Sequence, residues 1–222
     1  MSYEAYAAAR SIILTGASQR IPAASAASQA RALGLWDGKS AAVATDAQLA
    51  LLLDLGVFAP AGGHSPALER EARMNPPPPG SEAEAALRGL EDTRITLFRH
   101  AGPHDLGGIW VDDLLRGMRV HLWDAGLARP GQEGTGWAGR LMPIDGYEMT
   151  CGVLAPLSDA ILDALLGYPQ PIGPLPTAMP LLTPPDAEML VALRALASKP
   201  DFLTKLYREA LLSGLMGERP KR

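Results

Sequence analysis

Hydrophobic positions change their spacing twice along the chain. Up to about residue 92 they recur at helical intervals. Tyr3, Tyr6 and Ile13 fall together in "SYEAYAAARSIIL", and after the interruption at Pro22 a second segment, "ASAASQARALG", can end at Gly34. In "TDAQLALLLDLG", Thr45 and Gln48 stand in capping-box spacing, Leu49, Leu52 and Leu53 share a face, and Gly56 is expected to stop the helix. Pro76 to Pro79 withhold backbone donors and force an extended spacer. Ser81 and Glu84 then repeat the capping-box register ahead of a helix to about Leu90.

The period next shortens to two. Ile95 and Leu97 alternate with Thr96 and Phe98, Met118, Val120 and Leu122 with Arg119, His121 and Trp123, and Met149, Cys151 and Val153 with Thr150 and Gly152. Asp145-Gly146 sits between two alternating runs and predicts a tight hairpin turn joining strands at about 137 to 143 and 147 to 154. An antiparallel meander over about residues 117 to 154 is the expected arrangement, with an edge to be covered by a helix, a proline strap or another protein.

Helical spacing returns after Ser158. "LSDAILDALLG" runs to Gly167, Thr183 and Asp186 precede "DAEMLVALRALAS", and Pro200 opens a helix with Phe202, Leu203, Leu206, Tyr207 and Ala210 on one stripe. Between them lies a proline-rich segment that includes Pro171 and Pro174, read as a stiff strap across the protein's own body. The chain therefore reads as an α+β fold with three parts. Residues 1–92 and 158–222 are helical, and they pack around a small antiparallel, partly barrel-like β module at 93–157.

Composition narrows the function classes. An apolar fraction of 47% and a charged fraction of 20% predict a folded globular protein. The net charge of −4, from interspersed residues, announces no phosphate-binding face, so nucleic acid is not an expected partner. No stretch is long and apolar enough to span a bilayer, and no basic region followed by an apolar run marks a secretory signal. A single cysteine, Cys151, excludes an intrachain disulfide and fits a reducing compartment, so the cytoplasm is the expected location.

The densest cluster of reactive side chains is "RHAGPHD". Arg99-His100-Ala101 after a strand resembles the Arg-His-Gly signature of histidine phosphatases, but Ala101 replaces the glycine and the motif lies in mid-chain. Alternatively Arg99, His100, His104 and Asp105 would centre a hydrolase or metal-dependent enzyme. Gly102-Pro103 argues against the helix that would bring two histidines to one face. Solvated or backbone-bonded histidines are the simpler reading, and no cofactor or metal is called for.

Cys151 shares a strand face with Met149 and Val153 and reads as a small hydrophobe. Asp112 or Asp113 reads as a cap or turn residue, and Gly131, Gly134 and Gly136 as turn glycines rather than a phosphate cradle.

Tryptophan gives the other lead. Three of the four, Trp110, Trp123 and Trp137, lie in or beside the β module. Trp123 shares its strand parity with Arg119 and His121, opposite Met118, Val120 and Leu122, so these three side chains are expected to form a docking surface. Its occupant would be one of the chain's own helices, an unidentified protein or a second subunit. The leading expectation is thus a non-enzymatic protein-interaction or scaffold protein.

Asp113-Leu114-Leu115, Gly117, Arg140-Leu141, Pro143 and Pro156-Leu157 form a pattern that resembles a small β module of poorly characterised bacterial proteins. The resemblance implies a curled sheet ending in a proline-leucine step before a helix, and it implies no activity. Some proteins with such a module also carry a cysteine-rich metal-binding tail, and this chain has none.

Overall fold

A computed structural model describes residues 2–60, 63, 65–168, 175–217 and 219. Before the sheet come α1 (Tyr3–Ser18), α2 (Ala23–Leu33), α3 (Asp46–Phe58), α4 (Ala67–Met74) and α5 (Glu82–Glu91). The side chains of Thr45 and Ser81 accept the N–H groups of Gln48 and Glu84, as their capping-box spacing predicts. Gly34 ends α2 in the left-handed conformation.

Two expectations for α3 are corrected. It runs through Gly56 to Phe58, because a Cβ at 56 would lie 2.7 Å from the Ile21 side chain: this glycine admits a neighbour and does not stop the helix. Its buried face carries Leu51, Leu52 and Leu55, whereas Leu49 is exposed.

The strands are β1 (Arg94–Pro103), β2 (Ile109–Asp113), β3 (Met118–Trp123), β4 (Gly136–Ile144) and β5 (Tyr147–Leu157). They close on themselves in the order β1-β2-β3-β5-β4, with β4 returning to β1. Every pairing is antiparallel except β3 with β5, which is parallel. This corrects the expected meander: β3 has β5 and not β4 as its neighbour, and closure of the ring takes the place of an edge to be covered. β1 also runs further than its alternation shows, through "RHAGP" to Pro103, with a register shift between His100 and Pro103.

The hairpin at Asp145-Gly146 pairs Ile144 with Tyr147, and both turn residues have positive φ, 42° and 87°. The Asp145 carboxylate also accepts a hydrogen bond from the Tyr6 hydroxyl of α1. Burial and this carboxylate push the Tyr6 phenol up to about 12. Gly146→Val is expected to cost about 1–3 kcal/mol, because a β-branched residue resists left-handed backbone. Urea denaturation should show a lower midpoint at an unchanged slope.

After the sheet come α6 (Asp159–Leu165), α7 (Ala187–Ala197) and α8 (Phe202–Ser213). Asp186 alone caps α7, while Thr183 is tied to Asp159 by both its N–H and its hydroxyl. The expected stripe of α8 is buried in full. Its cluster joins all three sequence parts, with Leu33 of α2, Leu55 of α3, Leu157 of β5 and Leu206 and Tyr207 of α8 in one core. Phe98, Ile109, Val111, Leu122 and Leu141 fill a second cluster contributed by the strands.

Of the proline-rich segment, Pro171 and Pro174 lie outside the described residues. Leu182 further on is buried against Gly136, donates its N–H to Gly134 and accepts from Arg99 Nε at 3.1 Å. This part of the strap binds the chain's own body. The protein is α+β, with helical ends around a small, mostly antiparallel closed sheet.

Candidate binding face

Strand parity builds one outer face from β2 and β3. In β2, Ile109, Val111 and Asp113 are buried, leaving Trp110 and Asp112 outward; in β3, Val120 and Leu122 are buried, leaving Arg119, His121 and Trp123 outward. The register sets Trp110 opposite His121 and Asp112 opposite Arg119. Outward residues therefore meet in cross-strand pairs.

The β1–β2 turn folds over this face. A Cβ at Gly108 would stand 2.5 Å from the Leu122 carbonyl oxygen, so only glycine lets the turn approach β3 so closely. That approach lays the His104 ring on His121, with centroids 3.5 Å apart and planes within 8°. His104 Nδ1 accepts the Leu106 N–H, and His121 Nε2 lies 2.7 Å from the Gly107 carbonyl oxygen, to which it donates. Trp110 tilts against His104 at 4.3 Å. Trp123 meets Tyr147 of β5 at 5.4 Å and stacks on Tyr3 of α1 at 5.5 Å. All these rings are half-buried.

Beside them runs an open groove of about 690 Å³, floored by β3 and bordered by both turns. The charges around it are paired. Arg119 Nε lies 2.8 Å from Asp112, and Glu148, which Arg94 grips with two hydrogen bonds, also faces Arg116 at 3.9 Å. Two apolar side chains at the rim are open to solvent, Leu106 at 74% and Met118 at 46% exposure. Paired charge with exposed apolar surface suits a protein segment better than a phosphate backbone, which draws on unpaired cations.

Trp123, His121 and Arg119 thus share the face that their parity predicts, and α1 already covers part of Trp123 through Tyr3. The cluster Arg99, His100, His104 and Asp105 is divided. His100 is buried beside the backbone of Leu127, where burial lowers its pKa, and its Nδ1 accepts the Gly102 N–H. Arg99 is turned to Leu182, His104 stacks on the outer face and Asp105 is exposed. The structure does not bring these four together.

Among the described residues no group of three or more His, Cys, Asp or Glu side chains is placed to hold a metal ion. Cys151 is fully buried, and burial pushes its thiol pKa far up. Asp113 closes a turn by accepting the N–H groups of Leu115 and Arg116.

Three contributors escape a reading of β3 alone: Trp110, Tyr147 and Tyr3. Trp110 was legible in principle, since it alternates with Ile109 and Val111. Tyr147 and Tyr3 were not, because the parallel neighbour of β3 and the docking of α1 leave no periodic trace.

Compared with known proteins, residues 9–170 match the model of a family of unknown function, DUF7986. No curated protein and no solved structure matches the chain.

Proposed function

We propose that this chain, which belongs to the DUF7986 family over most of its length, is a non-enzymatic cytoplasmic interaction protein whose β2–β3 face docks an extended segment of a partner protein. One observation carries the reading: the imidazoles of His104 and His121, the Trp110 indole and the Tyr147 phenol, from three strands and the β1–β2 turn, converge on an open, apolar-rimmed groove. Rings of this kind supply large contact area at low entropic cost and anchor protein interfaces.

Architecture adds support by analogy. In five-stranded barrels of the OB type, the face of strands 2 and 3, together with the loops joining strands 1–2 and 4–5, binds oligonucleotides or oligosaccharides, so the analogy supports the place of the site and not the class of its ligand. The groove here lies on the corresponding face, between the corresponding turns. No described helix is long and apolar enough to cross a membrane.

The test is affinity capture from the source cell with wild type and with a Leu106→Glu/Met118→Lys pair. Both side chains are open to solvent at the rim of the groove, so the pair should melt like wild type. A protein held by wild type and lost by the variant supports the reading. Identical captured sets overturn it, as does retention of nucleic acid with a binding constant whose logarithm falls linearly with the logarithm of salt concentration.

A further inference from the structure

A second cavity, of about 330 Å³, shares no lining residue with the groove and is formed by α1, α3 and β5. Ser11 and Thr15 of α1 and Gly152 of β5 are exposed at its border, and Leu14, Leu53 and Phe58 supply apolar walls. Asp54 of α3 lines it with a side chain only 1% exposed.

The two oxygens of that carboxylate are treated differently. Oδ2 accepts the Tyr207 hydroxyl at 2.9 Å and Arg140 Nε at 3.2 Å. Oδ1 is buried and has no hydrogen-bond partner among the described residues. It packs against Gly152, where a Cβ would stand 2.7 Å away, so no side chain stands between Oδ1 and the β5 border of the cavity. With Arg140 holding Asp54 in its ionised form, Oδ1 can only accept, and leaving it unpaired is costly. It calls for a donor that the described residues do not supply.

Charge selects the kind of donor. Arg140 already balances Asp54, and Arg10, also in the lining, spends one N–H on the Thr150 carbonyl. A cationic ligand would therefore enter beside an uncompensated guanidinium. Size and lining fit a small molecule with a short apolar body and one polar end.

We propose that the α1–α3–β5 cavity binds a small neutral ligand of the primary-amide class, with its apolar chain against Leu14, Leu53 and Phe58 and an N–H donating to Asp54 Oδ1.

Titration of ¹⁵N-labelled full-length protein with hexanamide, and separately with methyl hexanoate, tests this. The ester has the same chain and a carbonyl but no donor. Hexanamide should give saturable shifts at the Cys151, Gly152 and Val153 amides and bind at least tenfold more tightly than the ester. Ser11→Phe, at an exposed helix position, should block the cavity without altering melting and abolish the shifts. Gly152→Ala, which sets a methyl group against Oδ1, should remove the preference for amide over ester. Equal affinity for the two probes, shifts that persist in Ser11→Phe, or no saturable shift at all, as expected of a cavity that admits only water, would each overturn the proposal.

Discussion

Arg140→Met is expected to destabilise the protein by about 3–5 kcal/mol, the usual cost of removing one partner from a buried ion pair. Arg140 and Asp54 have side chains only 13% and 1% exposed, so water replaces little of the lost guanidinium. Arg140 also lies over the Phe58 ring at 4.4 Å, a contact the variant surrenders as well. Asp54 would keep only the Tyr207 hydroxyl.

The double variant Asp54→Leu/Arg140→Met should recover part of the loss, because an apolar pair carries no uncompensated charge, while the buried Tyr207 hydroxyl, left without its acceptor, retains the rest. Acidity adds a signature. Burial raises the Asp54 pKa, with Arg140 offsetting part of the effect. A carboxyl with a raised folded pKa contributes stability that is fully present below its unfolded value, near 3.9, and is lost as pH rises through the folded value. Without Arg140 that value climbs further, so the deficit of the single variant should be smallest near pH 4 and grow as pH rises from there. Urea midpoints across this range measure it, and a pH-independent deficit would contradict the account.

Phe98→Ala is expected to cost a similar amount, about 3–5 kcal/mol, by a different route. Phe98 is fully buried, and its backbone pairs with Asp113 on one side and Trp137 on the other. Its ring packs with Ile109, Val111, Leu122 and Leu141 from the surrounding strands. In a closed ring the opposing walls are held apart by backbone pairing and cannot simply collapse into a void. Truncation therefore costs both the transfer of the ring and the cavity left behind. Phe98→Leu should lose clearly less. A loss under about 1 kcal/mol for the alanine variant would mean that the interior is not close-packed.

What the sequence disclosed followed from local physics. The caps at Thr45, Ser81, Ser158 and Asp186 and the turn at Asp145-Gly146 are short-range devices, and each forms as its residues predict. Arg119, His121 and Trp123 of β3 face outward as parity predicts, but Met118, which parity sets with the inward Val120 and Leu122, is exposed at the start of the strand. Three things did not follow in this way. Helix α4 was missed in "ALEREARM", eight residues between the prolines, although Leu68 and Glu71 are both buried. The parallel β3–β5 contact was illegible because alternation fixes which face a side chain takes and says nothing about which strand lies alongside. The Asp54–Arg140–Tyr207 constellation draws on α3, β4 and α8. In the sequence Asp54 only interrupts an apolar run, and its partners lie 86 and 153 positions away.

The ring is not equally secured around its circumference. Two of its junctions join strands that are not consecutive: β1–β4 holds six residue pairs in register, while β3–β5 holds two, Leu122 with Glu148 and Trp123 with Met149. The second junction is where the ring should breathe first, with amide hydrogens there exchanging through local opening well before the whole molecule unfolds. Trp123 and Tyr147 stand on its two sides. A segment laid across both rings would clasp β3 to β5, so part of its binding free energy would go into holding the barrel shut, and slower exchange at Leu122 and Met149 would record that it had arrived.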